Sequence, residues 1–324
     1  MLTPIFSFTP IAPISHRDYP CVRLTTGFML KITIRKKAKQ FGTLVRHSAM
    51  TPRTGAAHQP LQAKATELGI TFIGHSSFLI QIGGKNIVVD PNYAPWIFVL
   101  KRLRRAGVRI ADLPPIDLVL VSHAHFDHLH RPSLRAIARS NVRRFGKRPT
   151  IVVPRNVADL VSDLGMERVV EMDWWQSIAF GSVEITHTPS RHWGARIIRD
   201  MHRGYGGFVL KSGTHSLYHS GDTAYFDGFR EIGARLHPRI ALLPIGAYHP
   251  ESFRNVHTSP EDALQAFVDL KAQCMIPMHY GTFRLSHEPM EEPVDRLLAD
   301  AKRRGITRQV LVLEEGKTKI FGRD

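Results

Sequence analysis

The stretch SHAHFDHLH, Ser122 to His130, packs four histidines and an aspartate into the end of the apolar, β-branched run IDLVLVS. Its donors at His123, His125, Asp127 and His128 do not share one helix face, where partners sit three or four apart. They suit an extended loop at a strand end, where alternate residues point the same way and a turn brings the last donor round. The strand IDLVLVS supplies the rigid base for that loop, and Pro132 can start the next helix. Neutral imidazole and carboxylate suit zinc, and iron or manganese less selectively. With His130 counted, the donors exceed what one tetrahedral ion needs, so two adjacent ions are expected.

The rest of the chain has the rhythm of a sandwich. ITFIGHSSFLIQIGGKNIVVDP reads as strands with a hairpin turn at Gly83-Gly84. TIVVP, a helical NVADLVSDLG and VVEM form a strand, helix, strand unit, followed by SVEITHTPSRHW. GGFVLKSG and SLYHSGD read as a hairpin ending in a sharp turn, and RIALLPIG and CMIPMH as buried strands. Ser259 as N-cap, Pro260 at the first helical position and Asp262 three residues past the cap predict a helix. Its apolar face is Ala263, Leu264, Ala266, Phe267 and Leu270. A helix around 293–304 and a strand pair in QVLVLEEGKTKIF close the chain. Many strands with fewer helices point to two sheets with helices outside.

Charge is uneven along the 324 residues. Residues 1–60 hold nine Lys or Arg against one acid, Asp18, and the remaining 264 hold 35 basic and 27 acidic side chains. The basic leader therefore carries half of the +16 net charge, which weakens the argument for a nucleic-acid partner. With its scattered prolines and no sustained period, segment 1–60 reads as a poorly ordered leader before a single domain at 61–324. It is basic like a transit peptide but lacks an amphipathic stretch and a secretory h-region, and Met29 and Met50 are alternative starts. Cys21 and Cys274 form no C-x-x-C pair, so a reducing, cytoplasmic setting is expected. No apolar run approaches the roughly 20 residues of a membrane-spanning helix.

Further donors fall just beyond other apolar strands: His192 after SVEITHTPSR, Asp222 after SLYHSG and His279 after CMIPM. Strand ends meet along one edge of a sheet, so these can converge with His123, His125, Asp127 and His128. On these residues the chain resembles the metallo-β-lactamase-fold superfamily, whose H-x-H-x-D-H signature is present. Within it the chain is most similar to the N-acyl-phosphatidylethanolamine-hydrolysing phospholipase D group. GHSSFLI, SHAHFDHL, HWGAR, SGDTAYF, REIGARL, LPIGAYHP, HTSPEDAL and MHYGTFRLSHEPMEEP carry that likeness from about residue 70 to 298.

The resemblance implies an α/β fold of the αββα kind, a four-layer sandwich of two mixed β-sheets flanked by helices. It implies a dinuclear zinc centre, with His123, His125 and His192 on one ion, Asp127, His128 and His279 on the other, and Asp222 bridging. Asp90 in VVDP resembles an aspartate that orients a ligand histidine; a turn role is the other reading. His257 in HTSPEDAL matches a histidine near the family's active site and is, with Asp127, the catalytic candidate. It would bind phosphate or assist the leaving group; a simple loop histidine is the other reading. His75 in GHSS and His249 in GAYHP are weaker candidates, and the remaining histidines receive no role.

Two divalent ions about 3.5 to 4 Å apart can hold one bridging water and lower its pKa towards neutrality, making a hydroxide nucleophile. The expected activity is phospholipase D-type cleavage of an N-acylated phospholipid to phosphatidic acid and an acyl ethanolamine. A lactone or carboxylic ester hydrolase, a tRNA-processing-type nuclease and a non-catalytic binding protein on the same fold are the other readings. WIFVLKRLRRAG, residues 96–107, sets apolar residues beside Lys101, Arg102, Arg104 and Arg105. That composition suits a segment in peripheral contact with a membrane, or a surface helix with a solvated basic face.

Overall fold

The computed structural model describes residues 8–10, 42–43, 45–46, 48–197 and 200–322. Among the described residues, two seven-stranded sheets carry the fold. The first runs β1 (Phe8–Pro10), β10 (Gln176–Phe180), β11 (Val183–Thr188), β12 (Gly207–Ser212), β13 (His215–His219), β14 (Ile240–Pro244) and β15 (Cys274–Met278). The second runs β16 (Thr318–Phe321), β2 (Leu68–Gly74), β3 (Ser77–Ile82), β4 (Lys85–Val89), β7 (Leu118–Leu120), β8 (Thr150–Pro154) and β9 (Val169–Met172). A small hairpin, β5 (Trp96–Ile97) and β6 (Leu100–Lys101), stands apart. β4, β7, β8 and β9 pair in parallel, as do β13, β14 and β15, while the other pairs in the two sheets are antiparallel.

The two-residue period of a strand sorts side chains between layers. Ile80, Ile87, Val89, Leu118 and Leu120 face Ile178, Ile185, Phe208, Leu210 and Leu217 in the core between the sheets. Their neighbours Leu79, Val88, Val119 and Val121 point the other way, onto Leu134 and Ile137 of helix α1 (Arg131–Phe145). On the first sheet, Phe229 and Ile232 of α2 (Gly228–Leu236) join the apolar face of α3 (Pro260–Leu270) and Leu297 of α4 (Glu292–Arg303) in the core. The expected layering, two mixed sheets flanked by helices, is what forms. Burial on both faces explains why IDLVLVS is continuously apolar rather than alternating.

Local signals hold where they are strong. Gly83 and Gly84 take φ of +56° and +71° at the β3–β4 turn. The Ser259 side chain accepts from the Asp262 amide and the Asp262 carboxylate accepts from the Ser259 amide, a reciprocal cap on α3.

Other expectations are corrected. NVADLVSDLG makes a single 3-10 turn at Ala158–Leu160, entered where the Glu171 carboxylate accepts from the Val157 and Ala158 amides at 2.9 and 2.8 Å. Val157, Val161 and Leu164 reach the core without a longer helix. QVLVLEEGKTKIF is no strand pair: Leu311 donates to the Met275 carbonyl at 2.8 Å, and β16 then crosses to β2. Residues 96–107 are not helical. Arg102 is buried and donates to the carbonyls of Ala94 and Asn92, and Arg104 pairs with Glu291 and Glu315. Lys101 and Arg105 donate to carbonyls of Thr51 and Gly55.

Part of the expected leader is tied to this segment: Thr54 and His58 donate amide hydrogens to Leu103 and Gly107 at 2.9 and 2.7 Å. Residues 48–60 thus run along the folded body. The expectation of poor order falls mostly on 1–47, which lie outside the described residues except for 8–10, 42–43 and 45–46. No helix among the described residues is long and apolar enough to cross a membrane.

Candidate metal centre

The parallel strands set their C-terminal ends along one edge, where open α/β sheets place their sites. Asp90 follows β4, the SHAHFDHLH loop follows β7, Asp222 follows β13 and His279 follows β15. His192 lies on the loop after β11, His257 on the loop into α3, and His75 in the turn between β2 and β3. Gly221 lets the Asp222 turn approach: at φ +61°, an added Cβ would meet the Gly206 carbonyl at 2.6 Å and Ser122 Cβ at 2.8 Å.

Among the described residues, nine side chains converge there in four overlapping groups, each compact enough for one ion: His123, His125 and His192; His75, Asp127, His128 and His279; His123, His128 and Asp222; Asp222, His257 and His279. His125 Nδ1 is 2.9 Å from His123 Nε2 and 3.2 Å from His192 Nε2. Asp222 lies between the groups, with Oδ1 3.3 Å from His128 Nε2, and Oδ2 3.0 Å from His279 Nε2 and 3.9 Å from His192 Nε2. Asp127 Oδ2 lies 3.4 Å from His279 Nε2 and 3.6 Å from His128 Nε2.

The far side of the rings is tied down. Asp90, buried at φ +44°, accepts from the Ser122 amide at 2.7 Å, the Ser122 hydroxyl at 2.6 Å and His128 Nδ1 at 2.7 Å. It is thus both a turn residue and a partner of a centre histidine. His123 Nδ1 is 2.9 Å from Ser122 Oγ, and His192 Nδ1 donates to the Val256 carbonyl at 2.8 Å. With protons on Nδ1, His123, His128 and His192 turn Nε2 lone pairs inward.

Burial holds His123, His125 and His192 below the ordinary imidazole range, and neighbouring rings add to this for His123 and His192. These three are neutral donors. Burial also pushes His128 and His279 down, but Asp222 and Asp127 outweigh it: His128 stands well above the usual range and His279 at about 9. Burial raises the carboxyls of Asp127 and Asp222, yet the facing imidazoles hold both well below the usual range.

Buried His128 Nε2, His279 Nε2 and Asp222 Oδ1 make no hydrogen bond despite their closeness. A divalent cation taking the place of the protons on His128 and His279 would leave the local charge unchanged and satisfy these atoms. The donor set therefore fits metal.

A family model described as a β-lactamase superfamily domain matches residues 85–280. The chain belongs to the metallo-β-lactamase superfamily. It is 32% identical over 311 residues to an uncharacterized protein of Mycobacterium tuberculosis, covering 90% of this chain and 81% of that one. It is 31% identical over 255 residues to the N-acyl-phosphatidylethanolamine-hydrolyzing phospholipase D 1 of Caenorhabditis elegans, covering 72% and 70%. The solved structure of Igni18, a metallo hydrolase from Ignicoccus hospitalis, superposes with a TM-score of 0.61 at 24% identity, covering 80% of this chain and all of that one. It is 31% identical over 253 residues to a metal-dependent hydrolase of Methanopyrus kandleri, covering 77% of this chain and 98% of that one, and with its donor cluster the chain is a metal-dependent hydrolase of the superfamily.

His130, given no metal role in the sequence, caps α1 by accepting from the Ser133 amide. His249 is exposed and stands with His287, apart from the cluster. Sequence reasoning ranked one support low and left out two. His75 joins the cluster; Asn92 Nδ2 donates to the carbonyls of Phe126 and Asp127; Arg196 Nη1 donates to those of Ala124 and Leu129. His75 had a signal, since it also sits at a strand end. Asn92 and Arg196 had none, because their partners are backbone oxygens.

Proposed function

We propose that this superfamily member cleaves a phosphodiester, in a phospholipid of the N-acyl phosphatidylethanolamine class, in the manner of a phospholipase D. The observation that carries a two-cation site is Asp222, whose carboxylate reaches ring nitrogens of both donor groups. His123, His125 and His192 would hold one ion, Asp127, His128 and His279 the other, with Asp222 shared. Zinc is the metal these donors suit best, with manganese or iron(II) as substitutes. When bound, such a pair acidifies a water and offsets charge on phosphoryl oxygens. The likeness to the nematode enzyme supports the substrate class.

The chain's own part is orientation. Asp90, Ser122 and the Val256 carbonyl fix which nitrogen of His128, His123 and His192 faces inward. His257 Nδ1 lies 3.7 Å from Asp222 Oδ2, and burial lowers the ring to about 4. It is therefore neutral and suited to hydrogen-bond a substrate phosphoryl oxygen rather than to deliver a proton. In the net reaction the oxygen of water joins phosphorus, and the bond from phosphorus to the ethanolamine oxygen breaks. The acyl ethanolamine leaves with one proton and phosphatidic acid with the other.

Protein analysed for metal and assayed on N-acyl phosphatidylethanolamine, a generic phosphodiester, lactones and precursor tRNA tests this. Two ions per chain with preference for the phospholipid are expected; turnover confined to lactones or tRNA would overturn the substrate.

Peripheral membrane contact belongs to the same reading, resting on apolar side chains because Lys101, Arg102, Arg104 and Arg105 are engaged elsewhere. Phe98, 73% exposed, and Trp96 and Val99, each 44% exposed, form the β5–β6 tip. The Phe98 ring lies 4.4 Å from Phe126, between His125 and Asp127 in the loop. Wild-type protein should float with liposomes and the Trp96→Ser, Phe98→Ser double variant should not. Equal flotation rejects the contact.

A further inference from the structure

We propose that His75 is a positioning residue that holds the Asp127 carboxylate in place for cation binding at the His128 and His279 half of the centre. The inference rests on the two-cation reading above and adds to it a residue outside the seven ligands. His75 Nε2 lies 3.0 Å from Asp127 Oδ2, the same oxygen that faces His128 and His279. A carboxylate only accepts, so Nε2 carries the shared hydrogen, and Nδ1, buried without a partner, is left as a bare acceptor.

The ring has little freedom to leave. The His75 amide donates to Thr282 Oγ1 at 2.8 Å, and its carbonyl accepts from the His279 amide at 2.9 Å. The backbone sits in the left-handed region at φ +60°. The ring packs 4.2 Å from that of His279 and 5.4 Å from Phe283. From the main-chain side, Asn92 Nδ2 holds the Asp127 carbonyl at 2.9 Å. Asp127 is thus gripped at both ends, and one turn, Gly74 to Ser77, links it to the chain that carries His279.

His75 also falls in a group that could share an ion with Asp127, His128 and His279, so the test must separate orienting from ligating. One nitrogen cannot donate its hydrogen to Asp127 and offer a lone pair to a cation at once. Chelator-treated wild-type, His75→Ala and His75→Gln proteins would be titrated with cobalt(II), following stepwise affinities, the visible spectrum and thermal melting. Wild type should take two ions. His75→Ala should weaken one of them by about 10- to 100-fold, the range for losing a partner behind a ligand, and leave the other unchanged. His75→Gln, which keeps an N–H donor, should recover most of the loss with a wild-type spectrum.

Unchanged affinities in His75→Ala overturn the proposal. So does a loss in both variants with a changed cobalt spectrum, which marks a ligand, or equal weakening of both ions together with a lowered Tm, which marks a general structural role. A wild-type chain that takes up no ion overturns the two-cation reading itself, a result distinct from these.

Discussion

Asp222→Asn is expected to lower kcat/KM on a phosphodiester by at least about a thousandfold. Removing one preorganised donor from an oxyanion site costs about 10²- to 10³-fold, and Asp222 faces both cation groups rather than one. Its oxygens lie within 4 Å of ring nitrogens of His128, His192, His257 and His279. Asparagine keeps the shape, so the turn at Gly221 survives, but it removes the negative charge and turns one oxygen into a donor. At Nε2 the buried rings of His128 and His279 then keep only the Asp127 carboxylate, 3.6 Å from His128 and 3.4 Å from His279. Metal analysis should find fewer than two ions per chain, while circular dichroism stays that of the wild type. Undiminished turnover with two ions bound would sink the shared-carboxylate reading.

Asp90→Ala is expected to cost about 3–5 kcal/mol of stability, the range for breaking a buried charged pair by removing one partner. Asp90 is fully buried. Its loss strands three donors that it satisfies at 2.6 to 2.7 Å: the Ser122 amide, the Ser122 hydroxyl and His128 Nδ1. Alanine also tolerates φ +44° less well than aspartate does. Denaturant unfolding of chelator-treated protein measures this without the added stability that bound metal confers. A loss below about 1 kcal/mol, the net value of one ordinary hydrogen bond, would show that Asp90 is not the post on which Ser122 and His128 hang. Titrated with zinc, the same variant should bind about 10- to 100-fold more weakly.

The parts of the molecule that were legible in the sequence are those set by neighbours along the chain. The two-residue rhythm around Ile80, Val88 and Val119 sorts side chains between layers wherever both faces are covered. Gly83-Gly84 needs only its own φ angles, and Ser259 to Asp262 needs only one helical turn. The spacing His123, His125, Asp127, His128 is equally local, which is why it could be read as a strand-end donor loop. NVADLVSDLG misled because Val157, Val161 and Leu164 have helical spacing, while the core they reach from one 3-10 turn is built by strands elsewhere in the chain. WIFVLKRLRRAG misled for a related reason: its cations are consumed by carbonyls of residues 48–60 and 92–94 and by Glu291 and Glu315.

The sequence by itself determined the donor types, their place at strand ends and the layered fold, because period and turn chemistry act within a few residues. Only the tertiary structure decided which donors meet. Asp222 lies between donor groups because the two sheets, β4 and β7 in one and β13 and β15 in the other, pack with these strand ends at one edge of the sandwich, and His75 reaches Asp127 from the β2–β3 turn at that edge. A hydrogen bond of 3.0 Å between residues 52 positions apart leaves no trace in local spacing, since its geometry belongs to the packed sheets and not to either segment.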